Sequence, residues 1–152
     1  RKMEELCKSG AVKSIGVSNY TVKHLKELMA ESEIKPVVNQ VELHVFLQQP
    51  ELVEYCQENN IILEAYSPLA HGNKLDNVTL TDLAKKYNKT SAQIMLRWCV
   101  QKGFVVLPKS VTLSRIEENF EVFNFEINDS DMTKLASLNN NYRTCWDPTN
   151  VS

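Results

Sequence analysis

The sequence predicts an α/β fold, a parallel sheet with helices packed outside it. Two observations carry this. Four short apolar runs each lead into a helical pattern, and each run ends in polar residues. A short apolar run bounded by turn signals reads as a strand buried on both faces, as a parallel sheet requires.

The elements follow in order. Arg1 to Lys8 reads as helix interior, with Met3, Leu6 and Cys7 on one side, and so as a chain that starts inside something longer. The first strand is predicted over 11–17 and ends in Ser18-Asn19. Val22, Leu25, Leu28 and Met29 then share one helical face. The second strand is predicted over 37–43, with Asn39, Gln40 and Glu42 among apolar residues. Pro50 sits in the first turn of a helix carrying Leu52, Val53 and Cys56. The third strand, 61–66, ends in Ser67-Pro68. Two helices fill the longer gap that follows. Thr79 with Asp82 resembles a capping box for 80–87; Thr90 with Gln93 resembles a second for 92–102, closed by Gly103. The fourth strand is 104–107. After a helix N-capped by Thr112, Asn128 with Asp131 starts a short one carrying Met132, Leu135 and Leu138. No period is visible over 139–152, where a loop tail is expected.

Composition narrows the function classes. Residues 1–152 are one domain's length, enough to bury a sizeable core. A net charge of −2 leaves no basic footprint for nucleic acid, and Lys85-Lys86 is the longest cationic run, too short for a membrane patch. No apolar stretch approaches the ~18 residues of a membrane span, and no signal-peptide pattern opens the chain. Cys7, Cys56, Cys99 and Cys145 form no CxxC and read as reduced thiols in a cytoplasmic protein. His24, His44 and His71 lack metal-ligand spacing, so no metal is expected. The Asn88-Lys89-Thr90 triplet is read as unglycosylated.

Two architectures suit the alternation: a doubly wound sheet and a barrel. With only Gly10, Gly16, Gly72 and Gly103, a Gly-x-Gly-x-x-Gly dinucleotide turn is impossible. A flavodoxin-like sheet stays open on pattern alone. Polar strand ends suit the functional face of a barrel, but a barrel needs eight strands and typically ~250 residues.

The fourth strand end carries the clearest chemistry. Pro108 closes the strand, Lys109 and Ser110 stand at its mouth, and a helix follows. Arg115, Glu118 and Asn119 lie on one face of that helix, at spacings of three and four residues. Two cations beside a helix N-terminus suit a phosphate.

Leu107-Pro108-Lys109-Ser110 followed by Arg115 and Asn119 resembles the C-terminal signature of the aldo-keto reductases. Three further segments match that family in its order. They are Gly16-Val17-Ser18-Asn19-Tyr20, Asn39-Gln40-Val41-Glu42-Leu43-His44 and Ala65-Tyr66-Ser67-Pro68-Leu69. The resemblance covers nearly the whole chain and implies a (β/α)8 TIM barrel, of which the chain holds the C-terminal four βα units. It implies NADPH as cofactor and a small aldehyde or ketone as substrate. Ser18, Asn19 and Gln40 would hydrogen-bond the nicotinamide carboxamide, and Tyr66 would stack on its ring. Ser67 and Leu69 would meet the pyrophosphate. Lys109, Ser110 and Arg115 would hold the 2′-phosphate, with Glu118 and Asn119 at the adenine. The tail resembles the substrate-side tail of aldose reductase, with Tyr142 at a Trp position and Cys145 and Trp146 on the substrate side.

Other readings of these residues stand beside that one. Asn39 and Gln40 also read as a buried polar pair, Tyr66 as core packing, and Glu42 and His44 as structural. Departures from the family pattern are Val45 where Pro is common, Ala70 where Gly is common, and a short 73–78 connection where mammalian members carry a long loop. The family's catalytic Asp, Tyr, Lys and His lie on its first four strands, so no catalytic residue is assigned here. A short-chain dehydrogenase would need Tyr-x-x-x-Lys, which is absent. Two functions follow: the cofactor-binding half of an NADPH-dependent carbonyl reductase, or a non-catalytic binding or structural protein of the same family. Four strands alone would leave two sheet edges and an open face, expected to be lined by residues such as Val17, Val41 and Ala65. The isolated chain is therefore expected to self-associate.

Overall fold

The computed structural model describes residues 1–151. Four parallel strands form one sheet in the order β1-β2-β3-β4: Val17–Ser18, Val38–Glu42, Ile62–Tyr66 and Val105–Leu107. Helix α1 spans Lys2–Lys8, α2 Val22–Glu31, α3 Pro50–Glu58, α4 Val78–Tyr87, α5 Ser91–Gln101, α6 Leu113–Phe120 and α7 Asp129–Ala136. Each adjacent strand pair is joined through at least one helix, the crossover that parallel pairing demands.

Most predicted elements are present; the first strand is much shorter than expected. Only Val17 and Ser18 pair, with Asn39 and Gln40. Upstream, the Val37 N–H donates to Ile15 O, and Lys13 and Ser14 are exposed. A strand paired on one side needs its apolar run to reach the ladder, and Lys13-Ser14 interrupts this one. Helix α4 is capped by Asn77, whose Oδ1 accepts from the N–H groups of Thr79 and Leu80, so the Thr79 box does not form. The Thr90–Gln93 box does form, and Gly103 follows α5 at φ +80°, a left-handed value suited to glycine. Leu138 lies beyond the end of α7. The tail is loop with one 3-10 turn at Pro148–Asn150, and Ser152 lies outside the described residues.

Alternation splits the sheet into two faces. Asn39, Leu63, Val41 and Ala65 point to the helices and are buried, at the centre of a core completed by Leu25, Leu80, Ile94 and Trp98. Residues at the opposite parity form the other face: Ser18, Gln40, Glu64 and Val105 in one register row, Glu42, Tyr66 and Leu107 in the next. The expectation that Val17, Val41 and Ala65 line an open face is therefore corrected. Val41 and Ala65 are 2% and 0% exposed against the helices, and Val17 packs partly buried on the same core. The open side instead shows Ile62, Val105 and Leu107, at 52%, 45% and 38% exposure.

Candidate active site

The C-terminal ends of the four strands and the segments after them bring the candidate residues together in two groups. The first surrounds a cleft of about 840 Å³. Ser67, Leu69 and His71 line it from the turn after β3, Lys109 and Ser110 from the end of β4, and Arg115, Glu118 and Asn119 from α6. The turn after β3 is tightly wound: Ser67, Ala70 and His71 all have left-handed backbones, at φ 47°, 49° and 56°. Ser110 Oγ accepts from Thr112 N–H at 3.2 Å, which fixes the entry into α6 in place of a Thr112 side-chain cap. Glu118 is held by Thr90, whose hydroxyl donates to its carboxylate at 2.6 Å, and by Gln93, whose amide donates to its backbone carbonyl. Among the described residues Lys109 and Arg115 form no ion pair, so both cations are available to a ligand in the cleft. Two unpaired cations, a serine hydroxyl and the first turn of a helix form a donor set that suits a phosphate monoester.

The second group stands on β1 to β3. Ser18 Oγ donates to Gln40 O at 3.0 Å, and the Asn19 N–H donates to the same carbonyl at 2.9 Å. Tyr66 donates its hydroxyl to Asn19 Oδ1 at 2.8 Å. Burial pushes the Tyr66 phenol up, so at neutral pH it keeps the proton that it donates to Asn19. Gln40 donates its amide to Glu64 Oε2 at 2.8 Å across the open face. Asn39, by contrast, points to the helix side and is fully buried. Its side chain accepts from Tyr20 N–H and donates to Tyr20 O. Of the sequence-chosen residues, Gln40 and Tyr66 do not line the large cleft, whereas Ser18 and Asn19 line a smaller one of about 430 Å³ with Trp146.

The tail joins the two groups. Cys145 Sγ lies 3.4 Å from both Ser67 Oγ and His71 Nε2, and His71 Nε2 lies 3.0 Å from Ser67 Oγ. Underneath, Glu42 is 0% exposed. Its carboxylate accepts from the Thr144 hydroxyl at 2.6 Å, the Thr144 N–H at 2.7 Å, the Cys145 N–H at 3.2 Å and His44 Nε2 at 3.1 Å. Burial alone would raise the Glu42 carboxyl, but the Thr144, His44 and Cys145 hydrogen bonds outweigh it and hold the group below the usual carboxylate range. Burial pushes the His44 imidazole down; since its Nδ1 accepts from Phe46 N–H, Nε2 carries the proton given to Glu42.

Sequence reasoning missed Glu64, His71 and Thr144. Glu64 had a signal: a carboxylate inside the run Ile61-Ile62-Leu63-Glu64-Ala65, at the same parity as Tyr66. His71 follows Ala70 in the tight turn, and Thr144 lies in a segment without period; neither carries a local signal.

The aldo/keto reductase family model matches residues 1–140. The chain belongs to the aldo/keto reductase family. Among similar members is a glyoxal reductase of Bacillus subtilis, 49% identical over 148 residues, which covers 97% of this chain and 54% of that protein. The apo crystal structure of Gox0644 superposes with a TM-score of 0.94 at 40% identity, covering 99% of this chain and 56% of that one. A silkworm aldo-keto reductase, AKR2E5, solved with NADPH, superposes with a TM-score of 0.90 at 38% identity, covering 96% of this chain and 48% of that one. The chain thus spans about half the length of the family members it matches.

Proposed function

We propose that this chain supplies the cofactor-binding half of an NADPH-dependent reductase of small aldehydes or ketones, its four strands being half of an eight-stranded barrel. The observation that carries this is the convergence of Ser67, Leu69, Lys109, Ser110, Arg115, Glu118 and Asn119 on one cleft. Lys109, Ser110 and Arg115 would bind the 2′-phosphate. A guanidinium fork, an ammonium and a hydroxyl discriminate a phosphate monoester from the bare ribose hydroxyl of NADH. Glu118 and Asn119 would face the adenine, and Ser67 and Leu69 the pyrophosphate. Ser18, Asn19 and Gln40 present hydroxyl and amide groups that match a carboxamide's donors and acceptor. Binding there requires Gln40 to exchange its bond to Glu64 for one to the carboxamide. Tyr66 offers a flat face between them for the ring. When bound, NADPH would supply the hydride; the residues here orient it. Cys145 and Trp146 would stand on the substrate side. No residue of this chain is assigned the proton transfer, so these 152 residues alone are expected not to turn over an aldehyde.

The test compares NADPH with NADH. Lys109→Met or Arg115→Met should weaken NADPH binding by about one to two decades and leave NADH nearly unchanged. That is the loss of one charge-assisted hydrogen bond to a group only NADPH has. Titration of cofactor fluorescence reads both. Equal losses for the two cofactors would refute the assignment.

A further inference from the structure

Glu42 presents an anomaly for a strand residue. It sits at the end of β2 on the face the helices do not cover, yet it is completely buried. What covers it is the tail. Three of its four hydrogen bonds come from Thr144 and Cys145, which lie 102 and 103 positions along the chain. The fourth comes from His44, which the Phe46 N–H holds in the tautomer that donates.

We propose that Glu42 is the positioning residue of the tail, its carboxylate holding Thr144 and Cys145 across the end of β2 and so placing Cys145 and Trp146 beside the cofactor cleft. The substrate-facing role of those two residues rests on the function proposed above; their placement by Glu42 does not.

The tail needs such an anchor. It has no helical or strand ladder over 140–146, so its course is set by the few groups that grip it. Residues 140–143 are held on the loop after β2: the Asn140 and Tyr142 N–H groups donate to Phe46 O, and Lys74 Nζ stands 3.8 Å over the Tyr142 ring. The backbone N–H groups of Thr144 and Cys145 go to Glu42. Only an acceptor-only group can take two consecutive amides, a hydroxyl and an imidazole N–H together, and an ionised carboxylate has the lone pairs to do so. An amide in its place would turn an NH2 toward donors. A buried glutamate serving only to satisfy His44 would need one oxygen lone pair; here most of its capacity goes to the tail. Cys145 then meets Ser67 and His71 through its sulfur, at the edge of the large cleft, and Trp146 lines the smaller one. Lys109, Ser110 and Arg115 line the large cleft from β4 and α6, and none of them bonds Glu42.

The experiment uses the full chain in a Cys7→Ser background, where Cys145 is the accessible thiol, Cys56 and Cys99 being buried. Three quantities are read: the rate of Cys145 reaction with a chromogenic disulfide, trypsin cleavage after Arg143, and NADPH affinity. Glu42→Gln should speed thiol reaction and cleavage at least about tenfold, the effect of losing one charge-assisted hydrogen bond. NADPH affinity should stay within about threefold, a shift smaller than such a bond gives. Thr144→Val, which removes one donor from the tail side and leaves the sheet intact, should move the same two rates in the same direction by less. A folded Glu42→Gln chain whose Cys145 and Arg143 stay as protected as before would overturn the proposal. So would a fall in NADPH affinity as large as the gain in tail exposure, since that marks general loosening. If Glu42→Gln does not fold, unchanged rates in Thr144→Val overturn it. A parent chain that binds no NADPH refutes the function proposed above, and the two tail rates still decide the role of Glu42.

Discussion

Gly16 shows how a residue can be fixed by its neighbour's backbone. A Cβ at this position would stand 2.9 Å from Val38 O and 3.0 Å from Val38 Cβ, closer than packed atoms come. The glycine lets the start of β1 lie against β2, and β1 carries Ser18 and Asn19. Gly16→Ala should therefore destabilise the chain by about 1–3 kcal/mol, the usual cost of overpacking, and should loosen Ser18 and Asn19 before the rest of the sheet. A thermal melt together with amide exchange at Asn19 checks this; an unchanged melting point would show that β1 yields freely. Other residues differ in how legible they were. That Lys109, Ser110 and Arg115 share one cleft was readable because strand end, cation and helix start are adjacent in the chain. Gln40 was readable as polar within a strand, but its bond to Glu64 was not, since Glu64 reaches it only through the register of β2 on β3. Glu42 read as structural, and its partners lie in the least patterned part of the sequence.

At the scale of elements, existence was legible and phase or extent was not. Helix α5 announced itself through the Thr90 box, whereas α4 offered two overlapping signals, and the asparagine just before Val78 won over Thr79. Helix α7 was placed by its Asn128 cap; what fastens it could not be foreseen. Asp131, fully buried, takes Lys134 from its own helix and Lys86 and Tyr87 from α4. The Lys134 and Lys86 ammonium groups hold its carboxyl well below the usual range, against burial, which would raise it. A lowered folded value means the stabilisation is complete above the unfolded value of ~3.9 and is lost as pH falls from there through the folded value. Asp131→Asn should thus cost about 1.5–3 kcal/mol at neutral pH, the range for losing a hydrogen bond to a charged group, since Lys86 and Lys134 are themselves half exposed. It should also flatten the loss of stability in acid below about pH 4. Urea melts of parent and variant across that range read both; parallel pH profiles would remove Asp131 from the acid response.

The molecule as a whole has one covered sheet face and one largely open one, and assigning residues to them is where sequence reasoning failed. Alternation fixes which residues share a face but not which face meets the helices. In β2 the buried side carries Asn39 and the open side Gln40 and Glu42, so polarity gave no phase. With the faces corrected, the open side carries Ile62, Val105 and Leu107 around the Gln40–Glu64 pair. Among the described residues, strands β1 and β4 each lack a neighbour on one side. Unpaired edges and an apolar patch are the two features that drive chains together, and a net charge of −2 opposes that weakly. A polypeptide of these 152 residues is therefore expected to self-associate through this face. In a closed pair, β4 of one copy would lie beside β1 of the other, keeping every strand parallel. Light scattering after size exclusion should give a mass well above 17.4 kDa. Ile62→Lys puts a charge on the open face at a position already half exposed, so it should cost the fold little while dissolving the association. A parent chain that runs as a stable monomer would sink this expectation. Association that persists undiminished in Ile62→Lys would move the interface off this face.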